Sequence, residues 1–233
     1  GHSVDAYCAA VTTPIDGVIV HPLSLWGRGR ILKMLTLSRA AGQVPQEPYD
    51  LVAGFIRGGT PALYRAGGGC HATWLKARGP AGIADVIEER LDRAVVNAAR
   101  ITVVNSKMAG KNLTDEYGLP PERLRLIYNG VDLTRFTPSA DASLPGEGKT
   151  VAFFGSGYTR KGLAVAPRAV AKVPGTSLAI IGGDPRPSRY EQLAHQLGIA
   201  DRVTFLGRVE QPERLLPAAA AMILPTLSLI HIS

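Results

Sequence analysis

Cysteine is nearly absent: Cys8 and Cys70 are the only two in 233 residues, no Cys-x-x-Cys pair occurs, and no Cys/His cluster has metal-ligand spacing. A disulfide framework and a structural zinc site are thereby excluded, and a reducing cytoplasm is favoured. Long apolar runs are also missing. The stretch Ala218–Leu224 is fenced by Pro217 and Pro225 and falls far short of the ~18–20 residues a spanning helix needs. The chain opens Gly1-His2-Ser3-Val4-Asp5, with neither an initiator Met nor a basic segment leading into an apolar one. No signal peptide is expected, and an incomplete N-terminus is the simpler reading. Aromatic residues make up only 6% and do not interleave with basic ones, and no Lys/Arg run occurs, so nucleic-acid binding is set aside.

What remains is a globular composition, 45% hydrophobic and 19% charged, which excludes disorder as the main state. Lys and Arg outnumber Asp and Glu by 26 to 19, a net charge of +7 that draws anions without saying which. A phosphorylated small ligand or an anionic membrane face are the two open candidates.

The second half alternates short apolar runs with helix-like stretches. Strands are expected at 150–154, 177–181, 202–206 and 221–224, with helices at 161–172, 188–197 and 211–220. Near-continuous apolar strands with crossover helices imply a doubly wound parallel sheet. The first half reads as α/β too, with strands at 3–9, 17–20, 50–55 and 101–104 and helices at 23–41, 83–100 and 107–117. Ser106 stands as N-cap and Gly118 as stop signal of the last of these. The 23–41 stretch mixes Trp26 and leucines with Arg28, Arg30 and Lys33 without clean segregation, which favours a domain helix over a membrane anchor. Residues 137–148 are rich in Pro, Gly, Ser and Asp. They set the expected division: a first domain at 1–140, a linker at 141–149 and a second domain at 150–226. Two such halves would place a ligand cleft at the carboxyl ends of their strands.

Three segments carry chemistry. In Phe153-Phe-Gly-Ser-Gly-Tyr-Thr-Arg-Lys-Gly162 a strand runs into Gly155, Ser156 and Gly157 just before a helix expected near Lys161. Backbone amides at that helix start, with Arg160 and Lys161, make an anion site suited to a diphosphate. A plain turn with two solvated cations is the competing reading. The third glycine of a dinucleotide fingerprint is replaced by Arg160 and no Gly-Lys-Ser/Thr follows, so NAD and Walker A readings lose their key residues. In Tyr128-Asn-Gly-Val-Asp132, Asn129-Gly130 signals a turn, with Asp132 and Arg135 placed to fix its exit. In Gly67-Gly-Gly-Cys-His71, three glycines let backbone approach a ligand, with His71 at the rim.

The order Val104-Asn-Ser-Lys107, Tyr117-Gly118, Tyr128-Asn-Gly-Val-Asp132, Arg135-Phe-Thr-Pro138, Phe154-Gly155 and Arg160-Lys-Gly162, closing on Leu206-Gly207 and Leu224-Pro-Thr226, resembles the family 4 glycosyltransferases of the GT-B fold. The resemblance implies two Rossmann-like domains and a nucleoside-diphosphate sugar as co-substrate, with no cofactor or metal. By the same resemblance Arg160 and Lys161, with Gly155, Ser156 and Gly157, grip the donor diphosphate. The segment Ala62–Leu75 is similar to a loop of lipopolysaccharide core glucosyltransferases, which implies that His71 contacts the transferred sugar, although Gly68 stands where those relatives commonly carry an acidic residue. It further implies a retaining transfer of a hexose to a membrane-associated glycolipid, by a protein at the inner face of the cytoplasmic membrane. Trp74, Lys76 and Arg78 are the expected contacts with an anionic leaflet. The alternative is a non-catalytic basic module, or an inactive fragment, on anionic membranes.

The resemblance also implies an opening strand with a Gly-rich loop ahead of Gly1 and a paired-glutamate motif after Thr226. Residues 227–233 instead read Leu-Ser-Leu-Ile-His-Ile-Ser, an unmatched tail of foreign character. The chain by itself is therefore expected to be inactive.

Overall fold

A computed structural model describes residues 2–10 and 15–226, so the expectation for the tail at 227–233 lies outside the described residues. The chain divides into two compact units between Asn129 and Gly130. The Pro/Gly/Ser-rich stretch at 137–148 belongs to the second unit, where the Ser177 hydroxyl donates to the Glu147 carbonyl at 2.9 Å.

In the first unit, β1 (Val4–Cys8) and β2 (Val18–Pro22) form a parallel pair in register from Val4↔Val18 to Cys8↔Pro22. They are followed by α1 (Arg30–Gly42), β3 (Ala53–Gly54), β4 (Leu63–Arg65), α2 (His71–Arg78) and α3 (Ile83–Ala98). Strand β5 (Ile101–Val104), helix α4 (Lys107–Tyr117) and β6 (Leu124–Leu126) complete the unit, and β3-β4-β5-β6 make a second, all-parallel sheet. The β-branched run Ile101–Val104 buries on both faces, as a central strand must. Ser106 Oγ accepts from the Ala109 amide at 3.1 Å, and Gly118 closes α4 in the left-handed conformation. Two expectations change. The helix expected from residue 23 starts at Arg30, because Gly27 and Gly29 adopt φ of +92° and +88°, which no helix accommodates. The strand expected at 50–55 shrinks to Ala53–Gly54. Among the described residues β1 pairs only with β2, and β3 only with β4. Residues of β1 and β3 border one apolar groove of about 530 Å³, walled by Val4, Ala6, Leu37, Val44, Leu51 and Phe55. Unpaired strand edges of this kind are templates for further pairing.

In the second unit β7 (Lys149–Phe154), α5 (Val165–Val170), β8 (Thr176–Ile181), α6 (Ser188–Gln196), β9 (Val203–Gly207) and β10 (Ala221–Met222) give a parallel sheet in the order β10-β7-β8-β9. Leu178, Ala179 and Ile180 are fully buried in β8, as a strand covered on both faces requires. The chain steps from β7 to β8 to β9 and then crosses back over β7 to β10. Proline sets two corrections. A helix from Lys161 would carry Pro167 in its interior, whereas α5 begins at Val165 and tolerates Pro167 in its first turn. The helix expected at 211–220 is two 3-10 turns, Pro212–Arg214 and Leu216–Ala218, each with a proline at its start. Gly130 has no positive φ. The corner is held by Asp132 Oδ1, which accepts from the amides of Thr134 (2.9 Å) and Arg135 (3.2 Å) and from the Thr134 hydroxyl (2.6 Å).

Candidate functional site

The doubly wound sheet of the second unit places its topological switch point between β7 and β10, and ligands of open α/β sheets bind at the carboxyl ends beside such a point. Gly155, Ser156 and Gly157 leave β7 there, and Pro225 and Thr226 follow β10 there. The two ends touch: the Thr226 hydroxyl donates to the Arg160 carbonyl at 3.3 Å.

The turn differs from the amide-lined nest expected from the sequence. The Gly155 amide donates to the Ile181 carbonyl (2.9 Å), that of Gly157 to the Gly183 carbonyl (3.1 Å), and that of Tyr158 to Asp184 Oδ2 (2.8 Å). The amides of Lys161 and Gly162 close turns onto Gly157 and Thr159. Most of the backbone donors are therefore spent internally, and anion affinity falls to the side chains. Arg160 is exposed and Lys161 half-buried, and neither makes an ion pair among the described residues. Burial, with Arg160 next to it, holds the Lys161 ammonium below the usual lysine range. An opposite charge is what these two groups lack. The turn itself is rigid: the buried Tyr158 hydroxyl donates to the Gly182 carbonyl at 2.7 Å, and its ring meets those of Phe153 and Tyr190 edge-on. Tyr158→Phe is expected to cost about 1–2 kcal/mol, read as a shift of the denaturation midpoint, because it strands a buried carbonyl.

The first unit places His71 differently from the rim expected of it. It is the first residue of α2 and only 5% exposed. Its amide donates to Asp92 Oδ2 at 2.9 Å, its Nδ1 lies 3.8 Å from Glu88 Oε1, and its Nε2 is buried with no hydrogen-bond partner among the described residues. Burial pushes its pKa down, against the opposing pull of Glu88, and Arg57 adds to the lowering. The imidazole is thus biased to its neutral form. Arg57 lies between two carboxylates, with NH1 2.5 Å from Glu88 and Nε 3.0 Å from Asp92. Burial alone would lower the Arg57 value; Asp92, Tyr64 and Glu88 outweigh it and hold the guanidinium above its ordinary range. A pocket of about 300 Å³ opens beside this pair, lined by Arg57, Arg65, Gly68, Glu88, Tyr64 and Phe55 among others.

The residues expected against a membrane are engaged within the fold. Lys76 Nζ bonds both oxygens of Glu116 at 2.6 and 2.7 Å, and Arg78 pairs with Asp85 at 2.5 Å while lying 4.4 Å over the Trp74 ring. Trp74 in turn packs tilted against His71, ring centroids 5.2 Å apart. Their charges are compensated in place. Glu88 likewise pairs with Arg57 and Arg30, and Glu89 pairs with Arg93 four residues on.

Sequence reasoning passed over Arg57, Glu88 and Asp92 as site residues, because their partners lie 17 to 58 positions away. It also left His21 unassigned. His21 Nε2 bonds Asp5 at 2.8 Å and stacks on Tyr7, and Tyr49 donates to the same carboxylate at 2.7 Å. Those hydrogen bonds, Tyr49's first, hold Asp5 below the usual carboxylate range.

Comparison with known proteins adds the family. The model of Glycosyltransferase Family 4 matches residues 1–135, and that of Glycosyl transferases group 1 matches residues 136–228. The chain belongs to glycosyltransferase family 4. A D-inositol 3-phosphate glycosyltransferase of Mycolicibacterium smegmatis is 36% identical over 126 residues, which cover 49% of this chain and 29% of that protein. The chain thus spans less than a third of the curated relatives it matches. The crystal structure of WaaG, a glycosyltransferase involved in lipopolysaccharide biosynthesis, superposes with a TM-score of 0.80 at 18% identity, covering 97% of this chain and 67% of that one. HepE of Anabaena, solved with UDP-glucose, gives a TM-score of 0.57 at 14% identity over 97% of this chain and 74% of that one. At these identities the likeness is one of fold, and the fold is GT-B.

Proposed function

We propose that the protein this chain belongs to is a retaining glycosyltransferase that moves a hexose from a nucleoside-diphosphate sugar onto a membrane-associated glycolipid such as lipopolysaccharide core. The observation that carries this reading is the pair of uncompensated cations, Arg160 and Lys161, at the switch point of the second sheet. A departing nucleoside diphosphate gains negative charge as the glycosidic bond breaks. Fixed cations at that place stabilise the transition state more than the ground state. The transfer passes through an oxocarbenium-like state, and no protein nucleophile is assigned. In this reading His71 meets the transferred sugar, its Nε2 being buried with no hydrogen-bond partner among the described residues. The similarity to WaaG, involved in lipopolysaccharide biosynthesis, and to a D-inositol 3-phosphate glycosyltransferase supports a polyhydroxylated acceptor carrying anionic or lipid groups.

The test is the full-length protein incubated with UDP-, ADP- and GDP-hexoses together with envelope lipid extracts, following release of the nucleoside diphosphate and labelling of the lipid. Acceptor-dependent release is the expected result. Salt-sensitive binding to anionic vesicles with no donor turnover would replace the transferase by a membrane-binding module. His71→Ala is expected to lower kcat about 10- to 100-fold while the donor's dissociation constant stays within about threefold, as for a group that acts on the reacting sugar.

A further inference from the structure

Helix α2 begins without a cap of its own. Its N-cap residue, Cys70, offers no side-chain hydrogen bond, and its first turn contains no acidic residue. The missing acceptors come from two other helices. Asp92 of α3 accepts from the His71 amide, and the Tyr117 hydroxyl of α4 accepts from the Ala72 amide at 3.2 Å while donating to Asp92 Oδ2 at 2.9 Å. The other oxygen of Asp92 takes Arg57 Nε at 3.0 Å and the Tyr64 hydroxyl at 3.5 Å. This carboxylate has no exposed surface. A buried charge is costly unless its lone pairs are filled, and here donors from four separate segments fill them.

The second tie runs to the imidazole. Arg57, held by Asp92, also grips Glu88, and Glu88 Oε1 faces His71 Nδ1. Asp92 and Glu88 stand four residues apart on α3, so one helix face fixes both the backbone of His71 and one side of its ring. What it leaves unpartnered is Nε2. A carboxylate at the start of α2 also suits the positive end of that helix.

We propose that Asp92 is the positioning residue for His71, holding the start of α2 and, through Arg57 and Glu88, fixing one side of its imidazole. This rests on the reading of His71 as the sugar contact. In Asp92→Asn the side chain keeps its size but loses one acceptor and its charge. The full-length variant is expected to lose about 10- to 30-fold in kcat with the donor KM within threefold. In a His71→Ala background the same change should cost less than twofold further, since a residue acting through His71 has nothing left to position. Long-range proton–nitrogen spectra of the wild type and Asp92→Asn should differ in the His71 ring resonances. A purely structural role would instead give additive losses and unmoved resonances. Where Asp92→Asn does not fold by circular dichroism, Tyr117→Phe decides, with about a 3- to 10-fold loss in kcat that vanishes in the His71→Ala background. A silent His71→Ala defeats the functional reading. A costly His71→Ala with a silent or additive Asp92→Asn or Tyr117→Phe defeats the positioning role alone.

Discussion

Replacing Lys161 by alanine in the full-length protein is expected to lower kcat/KM for sugar transfer by about 100- to 1,000-fold, the loss typical of removing one preorganised electrostatic group at a developing charge. The magnitude follows from position. The ammonium is half-buried at the switch point, its stem lies where a Cβ on Gly155 would come within 3.3 to 3.7 Å of it, and no carboxylate among the described residues neutralises it. A group held in place and partly out of water reorganises little when charge appears, so its field counts for more than a solvated cation's. Arg160→Ala should cost less and depend more on ionic strength, because Arg160 is exposed and salt screens exposed charges first. Lys161→Arg should rescue poorly, since a planar fork does not fit the track of a point charge on a narrow stem. Initial rates over a donor titration at two salt concentrations separate these outcomes. A Lys161→Ala variant within twofold of wild type would mean that the two cations are a solvated turn and that the donor diphosphate lies elsewhere.

The same turn shows what a sequence discloses and what it withholds. Gly155-Ser-Gly157 and the adjacent Arg160-Lys161 are a local pattern, and local patterns survive folding: Ser106 caps α4, Gly118 ends it, and Ile101–Val104 is a buried strand. The fate of the turn's amides was not local. Gly157 and Tyr158 give theirs to Gly183 and Asp184, 26 positions on, a pairing that exists only once β8 lies beside β7. His71 followed the same rule. Its segment pointed to a loop, and its burial and its tie to Asp92 arose from the packing of α2 on α3. The helices expected at 161–172 and 211–220 are another matter, because Pro167 and Pro217 stand in the sequence, and the missing amide of proline outweighs apolar periodicity there.

Gly182→Ala is expected to destabilise the second unit by about 3–5 kcal/mol and to weaken donor binding with it, although Gly182 lies just past β8 and not in the proposed donor turn itself. Gly182 has φ of +124°, a region that side chains other than hydrogen enter at a cost of about 1–3 kcal/mol. Steric overlap adds the rest. A Cβ there would fall well inside 3.0 Å of the Gly155 carbonyl carbon and oxygen and 3.2 Å from the Ser156 amide nitrogen. Relief requires β7 and β8 to part at their carboxyl ends. That would strain the Gly155 amide bond to Ile181 (2.9 Å), the Gly157 bond to Gly183 (3.1 Å) and the Tyr158 hydroxyl bond to Gly182 (2.7 Å). These bonds set where Arg160 and Lys161 stand, so a change at the glycine that follows β8 is felt at the cations beyond β7. Gly198→Ala provides the comparison: φ is +67° and a Cβ there meets nothing within 4 Å, so only the backbone cost of about 1–2 kcal/mol remains. Urea denaturation followed by far-ultraviolet circular dichroism should give clearly unequal midpoint shifts for the two variants. Equal shifts would leave the contact between Gly182 and Gly155 without energetic weight, and with it the claim that β8 braces the turn.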